Sequence, residues 1–329
     1  MAAAGMPPEV EVPEGFELKW LPLTEADDGG LPLGLMVAIA AVAAVAMPLA
    51  LAALFGPPRL GREGRLGGAG EALGRVALVV AHPDDEAMFF WPTLLQLQAA
   101  GVPLSVLCLS TGNFDGLGTT RRLEMERSCA QLGVAGEDLV ILDVEGLQDG
   151  WRSWSEDLVA RRILDFVQDR GAAIVLTFDE GGVSGHPNHV STSRGVRRAR
   201  DAKGGPTPFE VLLLDSVGLP RKYLGVASQW ADAFLDDSSA ATCTWRHPLA
   251  CLRALSCHWS QLVWYRILFT LFSRYSYVNT YTRYASFGEE EPSAVAAAAA
   301  PQAAAPGRQP TGSDAGRHEG PGAGVRRRR

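Results

Sequence analysis

The chain has 329 residues, 47% of them hydrophobic and 20% charged, with a formal charge of −7. That is enough apolar residue for one sizeable α/β domain with appendages, and it excludes a disordered or fibrous chain. Five cysteines, an odd number without paired metal-finger spacing, do not make a disulfide framework and favour a reducing compartment.

The charge is strongly segregated along the chain. Residues 1–30 carry seven acids against the single base Lys19, and the last four residues are arginines. After the acidic segment comes "LPLGLMVAIAAVAAVAMPLALAALFG", residues 31–56. No charge occurs between Asp28 and Arg59, which leaves room for a membrane-spanning helix of about 20 residues. A signal peptide would need a basic start and a shorter apolar core, so the expectation is an uncleaved anchor. Its flanks are acidic before and basic after (Arg59, Arg62, Arg65); the positive-inside rule then puts residues 1–30 in the lumen and the rest in the cytoplasm. Residues 57–75, rich in Gly, Pro and Arg, read as a linker.

From residue 76 the pattern alternates. "RVALVV" is a buried strand, a helix follows from about Glu86 to Ala100, and "PLSVLCLS" is a second strand. "GTTRRLEMERSCAQLG" is a helix closed by Gly133, and "DLVILD" a third strand. "SWSEDLVARRILDFVQDRG" opens with Ser153 and Glu156 at capping-box spacing. "AAIVLTF" and "FEVLLLDSV" are the fourth and fifth strands. The expected fold is a Rossmann-like α/β domain over residues 76–286, an open parallel sheet with helices on both faces, preceded by one transmembrane helix. After Gly218 the pattern breaks. Residues 245–284 hold arginines and aromatics but no acid, and read either as a pair of packed helices or as a stretch lying at a membrane interface. Residues 287–329 are of low complexity and expected to be disordered.

The chemistry concentrates at two strand ends. After the first strand, "AHPDDE" packs His82, Asp84, Asp85 and Glu86 into five positions, and burying that much negative charge demands a counter-charge. After the fourth strand, "TFDEGGVSGHPNHV" carries His186 and His189 three apart, with Pro187 suited to a helix start. Ligands of open parallel sheets bind at such strand ends. No glycine-rich phosphate fingerprint occupies the first turn, and "GVSGH" lacks the serine-hydrolase spacing. Two or three imidazoles with two or three carboxylates form the ligand set of a catalytic zinc with an open water position. A carboxylate not bound to the metal then takes the water proton, and an imidazole stabilises the oxyanion.

The motifs "AHPDDEAMFFWPTLL", "GNFDGLGTTRRLEM", "TFDEGGVSGHPNH", "SVGLPRKY" and "SCHWSQLVWYRILFTLFSRY" together resemble the PIG-L/LmbE-type zinc deacetylases, which act on N-acetylglucosaminyl conjugates. The similarity is greatest to members acting on N-acetylglucosaminylphosphatidylinositol, in the second step of GPI-anchor synthesis. The resemblance implies that His82, Asp85 and His189 bind Zn2+, though other divalent metals suit the same donors. By the same resemblance Asp84 is the general base, and His186 polarises the acetyl carbonyl and protonates the leaving amine. Glu86 reads as electrostatic support for the following helix. Asn113, Arg121 and Asp179 fall in matching loops as substrate contacts. The resemblance further implies a lipid substrate, membrane lipid as partner, and the cytoplasmic face of the endoplasmic reticulum. Two other readings remain: a deacetylase of soluble conjugates, and a catalytically silent membrane-binding module.

Overall fold

The computed structural model describes residues 74–202, 209–228, 241–244 and 249–285. The acidic segment 1–30, the expected anchor 31–56, nearly all of the linker 57–75 and the tail 287–329 lie outside them. Among the described residues no helix is long and apolar enough to cross a membrane.

The apolar runs become strands as their valine, leucine and isoleucine content dictates. β1 is Arg75–Val80, β2 Leu104–Cys108, β3 Leu139–Ile141, β4 Ala172–Phe178 and β5 Glu210–Leu214. They pair in parallel in the order β3-β2-β1-β4-β5. The chain runs outward from β1 to β3 and then returns to start β4 on the other side of β1. A crevice opens at that reversal, beyond the carboxyl ends of β1 and β4.

The sheet is mixed rather than wholly parallel. β6 (Ala241–Thr244) and β7 (Val278–Arg283) extend it antiparallel beyond β5. Residues 278–283, "VNTYTR", stand at the end of an aromatic, arginine-rich stretch without the apolar run of the other strands. Their threonine, valine and tyrosine content suits a strand once β5 offers an edge.

Helices cover both faces. On one side lie α1 (Trp91–Ala99), entered through a π-helical turn at Glu86–Phe90, and α2 (Gly118–Ala130). On the other lie α3 (Glu156–Arg170) and α4 (Pro187–Asp201). β1 shows why both are needed: Val76, Leu78 and Val80 join one core with Phe90, Trp91 and Met125, whereas Ala77 and Val79 join a second with Val159, Ile163 and Val196. The cap of α3 is Ser155, not Ser153: the Ser155 hydroxyl accepts from the Leu158 N–H. The stretch expected as two helices or an interfacial segment yields α5 (Ala250–Leu255) and α6 (Trp264–Phe272) before β7.

α3 and α4 cross closely at Gly195, where a Cβ would overlap the Val159 side chain. Gly195→Ala is expected to destabilise the domain by about 1–3 kcal/mol through overpacking. Pairing it with Val159→Ala should recover part of that loss. Strict additivity of the two single effects in denaturant melts would refute this contact as the cause.

Candidate active site

His82, Asp84, Asp85 and Glu86 follow β1 directly, and all four are buried. Asp84 holds φ at 127°, a conformation that costs a non-glycine residue about 1–3 kcal/mol. Several bonds hold it there. Its N–H donates to Glu86 Oε2 at 3.1 Å, and its carbonyl accepts from Ala87 and Met88. Asp85 Oδ2 accepts from the Ala81 and His82 N–H groups at 3.1 and 2.8 Å, which aims Oδ1 into the crevice.

The opposite wall follows β4. His186 caps α4, its Nδ1 accepting from the Asn188 N–H at 3.3 Å. His189 lies within the first turn of α4, stacked on Phe178 with ring centroids 4.2 Å apart. Its Nδ1 donates to the Gly182 carbonyl at 3.1 Å. Gly182 is needed there: a Cβ would come 2.9 Å from that of His189, and φ is +55°. His82 is oriented likewise, since Nε2 faces the acceptors Asn188 Oδ1 and Asp149 Oδ1, both at 3.0 Å.

These bonds fix which nitrogen faces inward. His82 Nδ1 and His189 Nε2 stand 3.3 Å apart, His189 Nε2 is 3.3 Å from Asp85 Oδ1, and His82 Nδ1 is 3.8 Å from Asp85 Oδ2. With the outward nitrogens protonated, three acceptors converge and none has a proton to give the others. Donors about 2.1 Å from a tetrahedral ion stand about 3.4 Å apart; the His82–His189 and His189–Asp85 Oδ1 separations match that spacing, whereas His82 meets Asp85 through its other oxygen and at a longer distance. The electrostatics show negative charge that a proton or a cation would offset. Burial opposes the protonated form of His82, but the Asp149 hydrogen bond and the charges of Asp85 and Asp149 outweigh it and raise its pKa. Burial likewise opposes the charged form of Asp85, yet His189 and His82 pull its pKa well down. The ring nitrogens of His82, His186 and His189 lie within 4.8 Å of one another, a group able to hold a metal ion, and Asp85 borders it through Oδ1 at His189.

Asp84 stands apart from these donors in its partners. Arg121 Nη2 approaches its Oδ2 at 3.4 Å, and Arg266 of α6 pairs with the same oxygen. Oδ1 has no hydrogen-bond partner among the described residues. The pKa of His186 is pushed down to about 4, by burial first and then by the His82 and His189 charges.

The three expected substrate residues separate. Arg121 is buried at the site, bonded to the Gly112 and Pro83 carbonyls and to Asp149. The Asn113 side-chain oxygen Oδ1 accepts from the Gly118 N–H. Asp179 accepts from the Gly181 and Gly182 N–H groups of its own loop and from the Ser216 N–H and hydroxyl after β5. Neither Asn113 nor Asp179 bonds a donor of the cluster. Glu86 is more than support for the helix: besides holding Asp84, it pairs with buried His258 at 2.6 Å. Asn188, His258 and Arg266 fall inside the motifs "TFDEGGVSGHPNH" and "SCHWSQLVWYRILFTLFSRY" but carried no signal of their own, and Asp149 carried none.

The Glu86–His258 pair is wholly buried, so removing one partner leaves an uncompensated charge. His258→Ala should cost about 3–5 kcal/mol, and His258→Gln, which keeps a donor, distinctly less. Equal denaturation midpoints for the two variants would show that the donor is irrelevant.

Residues 77–200 match the sequence profile described as PIG-L: GlcNAc-PI de-N-acetylase. Among solved structures the chain resembles an N,N'-diacetylchitobiose deacetylase from Pyrococcus horikoshii, at TM-score 0.48 and 16% identity over 64% of this chain and 83% of that one. A Dictyostelium discoideum protein named as a probable N-acetylglucosaminyl-phosphatidylinositol de-N-acetylase is 35% identical over 63% of this chain and 92% of its own length. The Bos taurus N-acetylglucosaminyl-phosphatidylinositol de-N-acetylase is 41% identical, over 63% of this chain and 82% of the relative. With that identity across most of the relative's length, the chain belongs to the PIG-L family of GlcNAc-PI de-N-acetylases.

Proposed function

We propose that this protein hydrolyses the N-acetyl group of N-acetylglucosaminylphosphatidylinositol, giving acetate and glucosaminylphosphatidylinositol. The observation that carries the proposal is the meeting of His82, Asp85 and His189, beside His186, at the β1/β4 crevice, in a chain of this family. These three residues would hold a divalent ion, zinc by the softness of two imidazoles and one carboxylate. When bound, such an ion supplies a Lewis acid that lowers the pKa of water toward neutrality.

The chain's own residues do the rest. Asp84 is the base: both arginines bond its Oδ2, leaving Oδ1 to take the proton as water attacks the acetyl carbon. His186 is neutral at pH 7, and its Nδ1 already accepts a bond, so Nε2–H donates to the carbonyl oxygen as charge develops there. As the C–N bond breaks, the amine must gain a proton, and Asp84 holds one to return. A neutral His186 suits the polarising role better than the acid role expected of it. Trp151, exposed, leans on His186 with centroids 4.9 Å apart and offers an aromatic face beside the carbonyl site. In the same reading residues 31–56 anchor the enzyme in the endoplasmic reticulum membrane with the catalytic domain in the cytoplasm, on the strength of the charge asymmetry around them.

Membranes carrying the protein should convert the glycolipid, and Asp84→Asn should lower kcat about 10²- to 10⁴-fold at unchanged metal content. Loss of metal in the variant would reassign Asp84 as a support. His186→Gln should lower kcat about 10²- to 10³-fold. Because His186 is charged only below about 4, and a nearby cation pushes it lower still, the acid limb of the pH profile should stay where it is. A displaced limb would make His186 a titrating acid. Asp149 orients His82 through Nε2, so Asp149→Asn should weaken metal affinity about 10- to 100-fold, read by competition with a chelator.

A further inference from the structure

α6 links the site to an uncovered surface. Its inner side is committed: Arg266 reaches Asp84, Thr270 is buried, and Phe269 meets Phe89, whose ring edges on His189. Its other side is not. Trp264 is 68% exposed, Tyr265 56% and Leu268 41%. Tyr223, itself exposed, contacts Phe269, and together with Tyr265, Leu268 and Phe272 these residues line an open groove of ≈ 380 Å³. A contiguous aromatic surface of this kind on a soluble protein marks an interaction site.

The surrounding charge says which kind. Residues 249–285 and 218–228 contain neither Asp nor Glu; of their basic residues Arg253 is exposed and Arg221 half-buried, whereas Arg274 and Lys222 are buried and Arg266 and Arg283 pair with Asp84 and Glu210. The exposed Arg253 lies on α5, which packs against α6. Tryptophan and tyrosine with aliphatic neighbours, arginine at the margin and no carboxylate is the composition that sits at a lipid–water boundary. Reach is sufficient as well. The seventeen residues 57–73 separate the uncharged segment from the domain and span up to about 56 Å when extended. That exceeds the roughly 20 Å length of a six-residue strand, so this face can turn to a bilayer that holds the segment.

We infer that the outer face of α6, with the Tyr223 groove, docks on the bilayer surface, so that a lipid-borne substrate presents its headgroup to the crevice beside Arg266. This rests on the glycolipid reading above, and the test separates the two. Full-length protein is reconstituted in phosphatidylcholine/phosphatidylinositol vesicles whose acyl chains are either brominated or plain. Brominated chains should quench a larger fraction of tryptophan emission in the wild type than in Trp264→Phe; equal fractions would overturn the docking. Kinetics supply the second readout. Trp264→Ser/Leu268→Ser should raise KM for glycolipid in vesicles roughly tenfold, the equivalent of about 1.4 kcal/mol, with kcat kept. Its kinetics on a water-soluble, deacylated analogue should stay unchanged. An equal loss on both substrates would make these residues part of domain packing and overturn the inference. A wild type inactive on both, yet quenched through Trp264, would retain the docking face and reject the deacetylase.

Discussion

Three consecutive carboxylates are buried at the end of one strand, and the rest of the structure is arranged around neutralising them. Asp84, Asp85 and Glu86 are 4%, 2% and 0% exposed, and each has a different cationic or imidazole partner. Asp84 takes Arg121 from α2 and Arg266 from α6; Asp85 faces His82 and His189; Glu86 takes His258. Buried charges survive only when paired and hydrogen-bonded, so these pairings decide which elements must stand near the tip of β1. Only Asp85 faces two imidazoles whose lone pairs also point inward, and that is the position suited to a metal.

The segment after Gly218 is therefore part of the site. β7 completes the sheet against β5, and residues 258–266 send His258 and Arg266 back to β1. Ser260 meanwhile grips Glu124 of α2 through its N–H and its hydroxyl. The strained φ of Asp84 is affordable because the Glu86 carboxylate that bonds its N–H is itself held by His258. A loop about 170 positions away thus steadies the proposed base.

Much of the parallel half was readable in advance. β1 and β4 lie where runs of valine, leucine and isoleucine put them, and α4 starts at the proline that a helix accepts in its first turn. The failures have local physical causes. Ser153 and Ser155 both stand before the helix, and Trp154 between them is held outside it by Ser191 and the Gln148 carbonyl, which leaves Ser155 as the cap. β7 is polar by sequence, and only pairing with β5 and β6 distinguishes it from the aromatic helix before it. Asn113 and Asp179 carry side chains that look available for a ligand, but each spends its oxygens on nearby backbone or Ser216.

The sequence by itself determined the donors: a histidine and three acids within one turn, two further histidines three apart, and strands apolar enough to be buried side by side. Those are local facts, set by side-chain identity and by the repeat of strand and helix. Only the tertiary structure decided the state and direction of each donor. His82 presents Nδ1 because Asp149 and Asn188 occupy Nε2, His189 presents Nε2 because Gly182 occupies Nδ1, and Asp84 keeps one oxygen open because both arginines chose the other. Each of these partners except Gly182 lies more than thirty positions from the group it orients. A hydrogen bond depends on position in space to a fraction of an ångström, and the strand order that sets β1 beside β4 supplies that position.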